Sequence, residues 1–422
     1  MSGYNLVSFG GLFVLMGVAW VFSTNRRRMN WRLIAVGVGA QLAVGLVVFW
    51  TPGVRWFFVR LNGVVVELLD ATVEGPYLVF GRLALQPGET RDGLSSLGYF
   101  LAFRGLPLVI FFAALMNLLY YCRVMPVIIR GFAWFFTRVM RVSGAESLCA
   151  ASNIFVGIES ATTIRPYLGE MTRSELCTVL TAGMATVAST VLGVYVLYLS
   201  KTFETIAGHL ISASLLSAPA AIVMSKILVP EEGEPVTLGR AVEPAYERES
   251  GAIEAIINGA MAGVKLVVGI VALLIAFLGL IGVLDQVLAW CGVAPLQTLL
   301  GYVFYPFAVV LGVPPADAAP AAQLLGQRLV ATEVPAYRQL AAWLEAETFE
   351  YARTKVVVAY ALCGFAHVAS LAIFVGGVAA LVPARRKDLA AVGPRALLAA
   401  TLACLMTGAV AGALYHGAAT VL

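Results

Sequence analysis

The sequence predicts an all-α integral membrane protein: about eight transmembrane helices, two re-entrant helical hairpins and some interfacial helices. Three observations carry this expectation. The 422 residues are 60% hydrophobic and only 12% charged, against roughly 25% charged in soluble domains, and the mean hydropathy is +0.88. Apolar runs of spanning length recur along the whole chain. Two more apolar segments, 153–163 and 323–333, carry amides and a carboxylate at their centres, where a bilayer tolerates neither cheaply.

A span needs about 20 apolar residues to cross roughly 30 Å of hydrocarbon. On that criterion the spans fall at 5–24, 33–52, 99–121, 175–199, 206–228, 260–284, 355–381 and 394–420. No Lys or Arg precedes the first, and Arg26, Arg27, Arg28 and Arg32 follow it. A cleavable signal has the opposite order, so the segment reads as a retained helix with its N-terminus outside. Turns 25–32, 122–145, 229–256 and 382–396 then face the cytoplasm and hold more bases than the outward turns, among them Arg123, Arg130, Arg138, Arg141, Arg385, Arg386 and Lys387. That bias matches the positive-inside rule, and eight crossings return the C-terminus to the outside.

Residues 54–95 interrupt their apolar character with Arg55, Arg60, Glu67, Asp70 and Arg82 and read as an interfacial amphipathic helix with a loop. Residues 145–168 and 315–340 have spanning length but polar centres. A half-helix of about 10 residues rises about 15 Å, to the midplane and no further. Each segment therefore reads as a re-entrant hairpin whose broken backbone lines a cavity. The acidic stretch from Pro230 opens a solvated linker over 229–256 that divides the chain into similar halves. Arg104 and Lys265 lie near membrane faces, where long basic side chains snorkel.

The net charge of +4 carries no nucleic-acid signal, and the six cysteines form no CxxC pair. They read as small buried residues, neither disulfides nor metal ligands. No Walker motif, zinc spacing or catalytic triad is present. Within the hairpins, Glu159 and Glu333 stand out, because carboxylates accept several hydroxyl or amide hydrogen bonds, as a polyhydroxyl ligand requires. The alternative role for each is a helix cap or an ion pair with Arg165 or Arg328. Asn153, Val156 and the stretch 184–189 offer amide, hydroxyl and carbonyl oxygens suited to a hard cation, or else ordinary small-residue packing. His367, inside the seventh span, can donate to a ligand hydroxyl, carry a coupling proton, or be satisfied by a neighbouring helix. His209 and His416 read as structural.

These residues resemble the concentrative nucleoside transporter family over most of the chain. The specific stretches are Phe103-Arg104-Gly105-Leu106-Pro107, Leu118-Leu119-Tyr120-Tyr121, Ala145-Glu146-Ser147 leading to Asn153-Ile154-Phe155-Val156-Gly157, Gly312-Val313-Pro314, Val330-Ala331-Thr332-Glu333-Val334-Pro335-Ala336-Tyr337, and Ala361-Leu362-Cys363-Gly364-Phe365-Ala366. The resemblance implies a multi-pass plasma-membrane protein, a bacterial inner-membrane one, acting as a homotrimer. In it a scaffold would hold a mobile transport domain that moves like an elevator. It divides the chain into scaffold helices at 1–121, a first transport half at 122–228, the linker 229–256 and a second half at 257–422.

By position, the resemblance makes Glu333 the acceptor for ribose hydroxyls, with His367 and Ser370 on the facing segment. Glu159 and Gly157 would lie near the nucleobase, with Phe365 beside them. Asn153, Val156, Thr186 and Val187 would match the sodium site, the two valines through their carbonyls. No cofactor is implied beyond a coupling ion, sodium or proton, and the retained oxygens of Asn153 and Thr186 favour sodium. Two departures bear on specificity. The first hairpin, Gly157-Ile158-Glu159-Ser160-Ala161-Thr162, lacks the family's Gln-Thr pair, and His367 stands where the family usually has Asn. Expected, then, is cation-coupled nucleoside uptake. The competing readings are a channel, which needs rings of like residues along a path, and a membrane-embedded enzyme using Glu159 and Glu333. An enzyme would need a nucleophile or metal motif that is absent.

Overall fold

Helix starts follow the local chemistry of the sequence. Ser143 and Glu146 form a reciprocal capping box that opens helix α7 (Gly144–Asn153), and Thr172 and Glu175 form another that opens α9 (Arg173–Ala185). Proline, which has no N–H to leave unpaired at a first turn, begins α3 (Pro52–Ala71) and α14 (Pro315–Ala331). The structure is a computed structural model and describes residues 2–157, 159–245 and 249–417, the side chain of Arg55 excepted.

In chain order the other helices are α1 (Gly3–Val21), α2 (Trp31–Trp50), α4 (Glu74–Phe80), α5 (Leu106–Tyr121), α6 (Val124–Phe135), α8 (Ser160–Thr163), α10 (Ser189–Leu199), α11 (Ile206–Leu228), α12 (Ala252–Trp290), α13 (Leu296–Val310), α15 (Glu333–Glu345), α16 (Ala352–Leu362), α17 (Val368–Leu381) and α18 (Arg386–Leu414). The described sheet is one two-stranded hairpin, Thr90–Arg91 against Leu94–Ser95, within the segment read as interfacial. The core is built on α9, α10, α11, α16 and α18, which are buried along most of their lengths.

Seven described stretches are long and apolar enough to cross a membrane: Gly3–Val21, Trp31–Trp50, Leu101–Tyr121, Arg173–Leu199, Ile206–Leu228, Ala252–Trp290 and Pro383–Leu414. Each overlaps an expected span, but Ala252–Trp290 runs past 260–284 at both ends, and Pro383–Leu414 begins well before 394, so the turn expected at 382–396 is largely helix; residues 418–420 lie outside the described residues. The expected span at 355–381 is instead two helices, α16 and α17, separated by extended backbone at Cys363 and His367. Gly364 between them has φ +146°, and a Cβ there would meet Cys404 Sγ at 2.6 Å. Hydropathy runs straight through this break because it registers composition and not backbone angle. Helix α13 was not expected and packs along α14.

Helix α12 is 39 residues long, and its most apolar stretch is not buried within the chain. It lies on α5 through small residues, since a Cβ on Gly259 would approach the Ala113 carbonyl oxygen to 2.7 Å. The linker is docked over its first half. Thr237 accepts from Gly144 N–H at 2.9 Å and from Ala145 N–H at 3.2 Å, satisfying the start of α7. Lys226 pairs with Glu146 at 2.6 Å and with Glu231 at 3.2 Å beneath it. Arg104 does not snorkel: it is 4% exposed, with no hydrogen-bond partner for Nε and Nη1 among the described residues.

Candidate functional site

The second hairpin reverses at Thr332, whose φ of +77° is unusual for a β-branched residue. Such backbone costs on the order of 1–3 kcal/mol and persists only where its surroundings enforce it. The span expected at 175–199 is interrupted at 186–188, where Thr186 turns extended at φ −109°, ψ 163°. Together with the end of α7 and the gap between α16 and α17, these breaks lie against one another. Ser189 N–H donates to the Phe155 carbonyl at 3.0 Å, and a Cβ on Gly364 would stand 2.7 Å from the Ala185 carbonyl oxygen.

The N-termini of α10, α15 and α17 open on one cavity of about 120 Å³. Gly157, Glu159, Glu333, Phe365, His367 and Ser370, the residues proposed from sequence, all line it. Its far wall is apolar and includes Leu266 and Ile270 of α12. Each helix N-terminus carries about half a positive charge, which favours carboxylates placed there.

Glu333 is the first residue of α15 and is 3% exposed. The Tyr195 hydroxyl donates to its Oε1 at 2.8 Å. His367 Nε2 lies 2.9 Å from Oε2, off the line of a hydrogen bond, so this buried oxygen has no aligned donor among the described residues. His367 is the N-cap of α17, with Nδ1 accepting the Ser370 N–H at 3.1 Å. That bond places the ring proton on Nε2, which lies 2.7 Å from Ser370 Oγ. Neither glutamate pairs with an arginine among the described residues. Glu159 is exposed to the cavity. Ile158 beside it lies outside the described residues.

Asn153, Val156, Thr186 and Val187 sit at the two facing breaks and are all buried. Asn153 Nδ2 donates to the Cys149 carbonyl at 3.0 Å, and its Oδ1 accepts from the Ser160 hydroxyl at 2.9 Å. The Thr186 hydroxyl donates to the Ala182 carbonyl at 2.9 Å, which leaves its oxygen lone pairs free. An amide oxygen, a hydroxyl and backbone carbonyls are donor types that a hard cation takes. Sequence reading missed Tyr195, which also stacks on Tyr337 with centroids 4.6 Å apart. The available signal was a phenol inside an apolar span, whose hydroxyl needs a partner when buried.

Comparison with known proteins follows the same lines. Residues 209–412 match the profile described as Na+ dependent nucleoside transporter C-terminus, residues 10–83 that of the N-terminus, and residues 102–202 one described as nucleoside recognition. Solute carrier family 28 member 3 of Homo sapiens is 35% identical over 97% of this chain, which spans 60% of that protein's length. An uncharacterized transporter of Haemophilus influenzae is 33% identical over 96% of this chain and 97% of its own. The structure of CNTnw in an inward-facing substrate-bound state superposes with a TM-score of 0.88 at 34% identity, covering 97% of this chain and 98% of the other. A variant of CNTnw in an outward-facing state gives 0.86 at 32% identity, covering 98% of each chain.

Proposed function

Because the chain belongs to the Na+-dependent nucleoside transporter family, we propose that it performs cation-coupled uptake of nucleosides by alternating access, as a homotrimer in a bacterial inner membrane with both termini outside. The observation that carries this reading is the buried Oε2 of Glu333, which faces the cavity without an aligned donor. A carboxylate offers about four acceptor positions. Tyr195 fills one, and ribose hydroxyls take those beside Oε2. His367 Nε2 stands 2.9 Å from the same oxygen, with Ser370 Oγ 2.7 Å from that nitrogen, and the two hold the sugar's edge. Glu159, Gly157 and Phe365 line the rest of the cavity, where the base would sit.

Sodium is the coupling ion in this reading, bound by Asn153 and Thr186 side chains and the carbonyls of Val156 and Val187. The break at 186–188 joins the two sites. Its first residues belong to the ion set, and Ala188 and Thr190 line the cavity. Ordering this backbone around an ion therefore preorganises the nucleoside site, which is how binding of one raises affinity for the other. The moving part contains both hairpins, 145–168 and 315–340, and is carried against scaffold helices within 1–121, with 229–256 as the connecting linker. The exposed apolar length of α12 supplies a surface for that motion or for neighbouring copies. Uptake of a radiolabelled nucleoside panel into proteoliposomes, with sodium and proton gradients imposed separately, tests the reading. Accumulation that follows the sodium gradient is expected, and no uptake under either gradient would refute it.

A further inference from the structure

Every broken pair ends its first half on carbonyls and starts its second on amides. The amide ends of α10, α15 and α17 face the cavity and its carboxylates. On the other side of the breaks the carbonyl end of α9 meets that of α16, where a Cβ on Gly364 would approach the Ala185 carbonyl, and the bond from Arg328 to the Ala361 carbonyl brings in the end of α14. A helix C-terminus carries about half a negative charge, and several such ends in an apolar interior create a potential that only a cation answers well. At the ends of α7 and α9 the oxygens of Asn153, Val156, Thr186 and Val187 provide for one.

At the ends of α14 and α16 the cation is already part of the chain. Arg328 lies in the last turn of α14 and is the largest fully buried side chain among the described residues. Its Nη1 donates at 2.7 Å to the carbonyl of Ala361, the last residue but one of α16. Nε and Nη2 have no aligned acceptor, and no carboxylate pairs with it among the described residues. The other buried cations are committed elsewhere. Lys226 belongs to Glu146 and Glu231, Arg353 ties Gly312 and Asn5 together, and Arg104 lies ahead of α5. Arg328 is thus a buried guanidinium with no carboxylate partner among the described residues, held by the Ala361 carbonyl beside Cys404 where the C-termini of α14 and α16 meet.

We propose that Arg328 is a tethered cation. It takes, at the ends of α14 and α16, the place that the coupling ion takes at the ends of α7 and α9, and so fixes coupling at one ion per nucleoside. The inference rests on the transport reading above and adds the stoichiometry and the residue that sets it. A covalent cation needs no gradient to fill its site, so only the first site draws on the ion gradient. Removing the charge leaves the carbonyl ends of α14 and α16 uncompensated just before Thr332 and Glu333, which loosens the ligand carboxylate or admits a second ion.

The test is charge moved per uridine, from current and tracer flux on the same full-length protein in proteoliposomes; uridine is neutral, so the ratio counts ions. The wild type is expected to give one charge per uridine and a Hill coefficient of one for the ion. Arg328→Met is expected to lose at least tenfold in uptake or to move toward two charges per uridine, and Arg328→Lys to restore the wild-type ratio and most of the uptake. A wild-type ratio of two, or an Arg328→Met variant with unchanged uptake and ratio, overturns the inference while leaving nucleoside transport intact. If Arg328→Met does not fold, the wild-type ratio and the lysine variant decide. Absence of any uptake by the wild type overturns the transport reading, and this inference with it.

Discussion

Replacing Glu333 with Gln changes one oxygen for an amide nitrogen and removes a charge at the start of α15. Tyr195 keeps its acceptor, because the glutamine carbonyl can take the place of Oε1. The other position changes sign. Its NH2 group then stands about where Oε2 lies 2.9 Å from His367 Nε2, a donor in place of an acceptor. A ligand hydroxyl that docked on Oε2 loses a charge-assisted hydrogen bond, about 1.5–3 kcal/mol, or roughly a tenfold to hundredfold loss of affinity. The favourable placement of a carboxylate at a helix N-terminus goes too, another 0.3–1 kcal/mol or so of site organisation. Equilibrium binding of labelled uridine to purified protein measures the first effect, and melting temperature with and without ligand separates it from misfolding. Affinity within about threefold of wild type, in a variant that melts normally, would remove Glu333 from the binding site.

Thr186→Val removes the hydroxyl oxygen while keeping side-chain volume, and the sodium concentration for half-maximal uptake is expected to rise several-fold; uptake that ignores sodium and follows an imposed pH gradient would shift the coupling role to Glu159 or His367. Uridine and adenosine are expected to compete within about tenfold of each other, because apolar walls discriminate weakly, whereas 3′-deoxyuridine should lose more, since it leaves a buried carboxylate oxygen unpaired. Sharp base selectivity with indifference to the 3′-hydroxyl would exchange the roles of Glu159 and Glu333. Gly364→Ala puts a Cβ 2.6 Å from Cys404 Sγ at a φ of +146°, a strain of at least about 2 kcal/mol. The variant should melt clearly lower, and unchanged melting would show that the break relaxes freely.

The sequence by itself determined the membrane class, the positions of most spans and the residues around which the cavity is built. Hydrophobic length is a property of composition, so Gly3–Val21, Trp31–Trp50 and Ile206–Leu228 could be located by counting. The glutamates were legible for a related reason: a carboxylate inside an apolar run is too costly to be incidental. Tertiary structure decided what composition does not encode. Whether 355–381 is one helix or two depends on the φ of Gly364 and on the sulfur and carbonyl packed against it. Tyr195 and His367 meet at Glu333 from helices far apart in the chain, so no local pattern announces the contact. Arg328 reads in sequence as a partner for a glutamate and stands in the fold against the Ala361 carbonyl instead. The reason is the same in each case: side-chain chemistry fixes what a residue must satisfy, and only the packing of distant segments fixes which partner satisfies it.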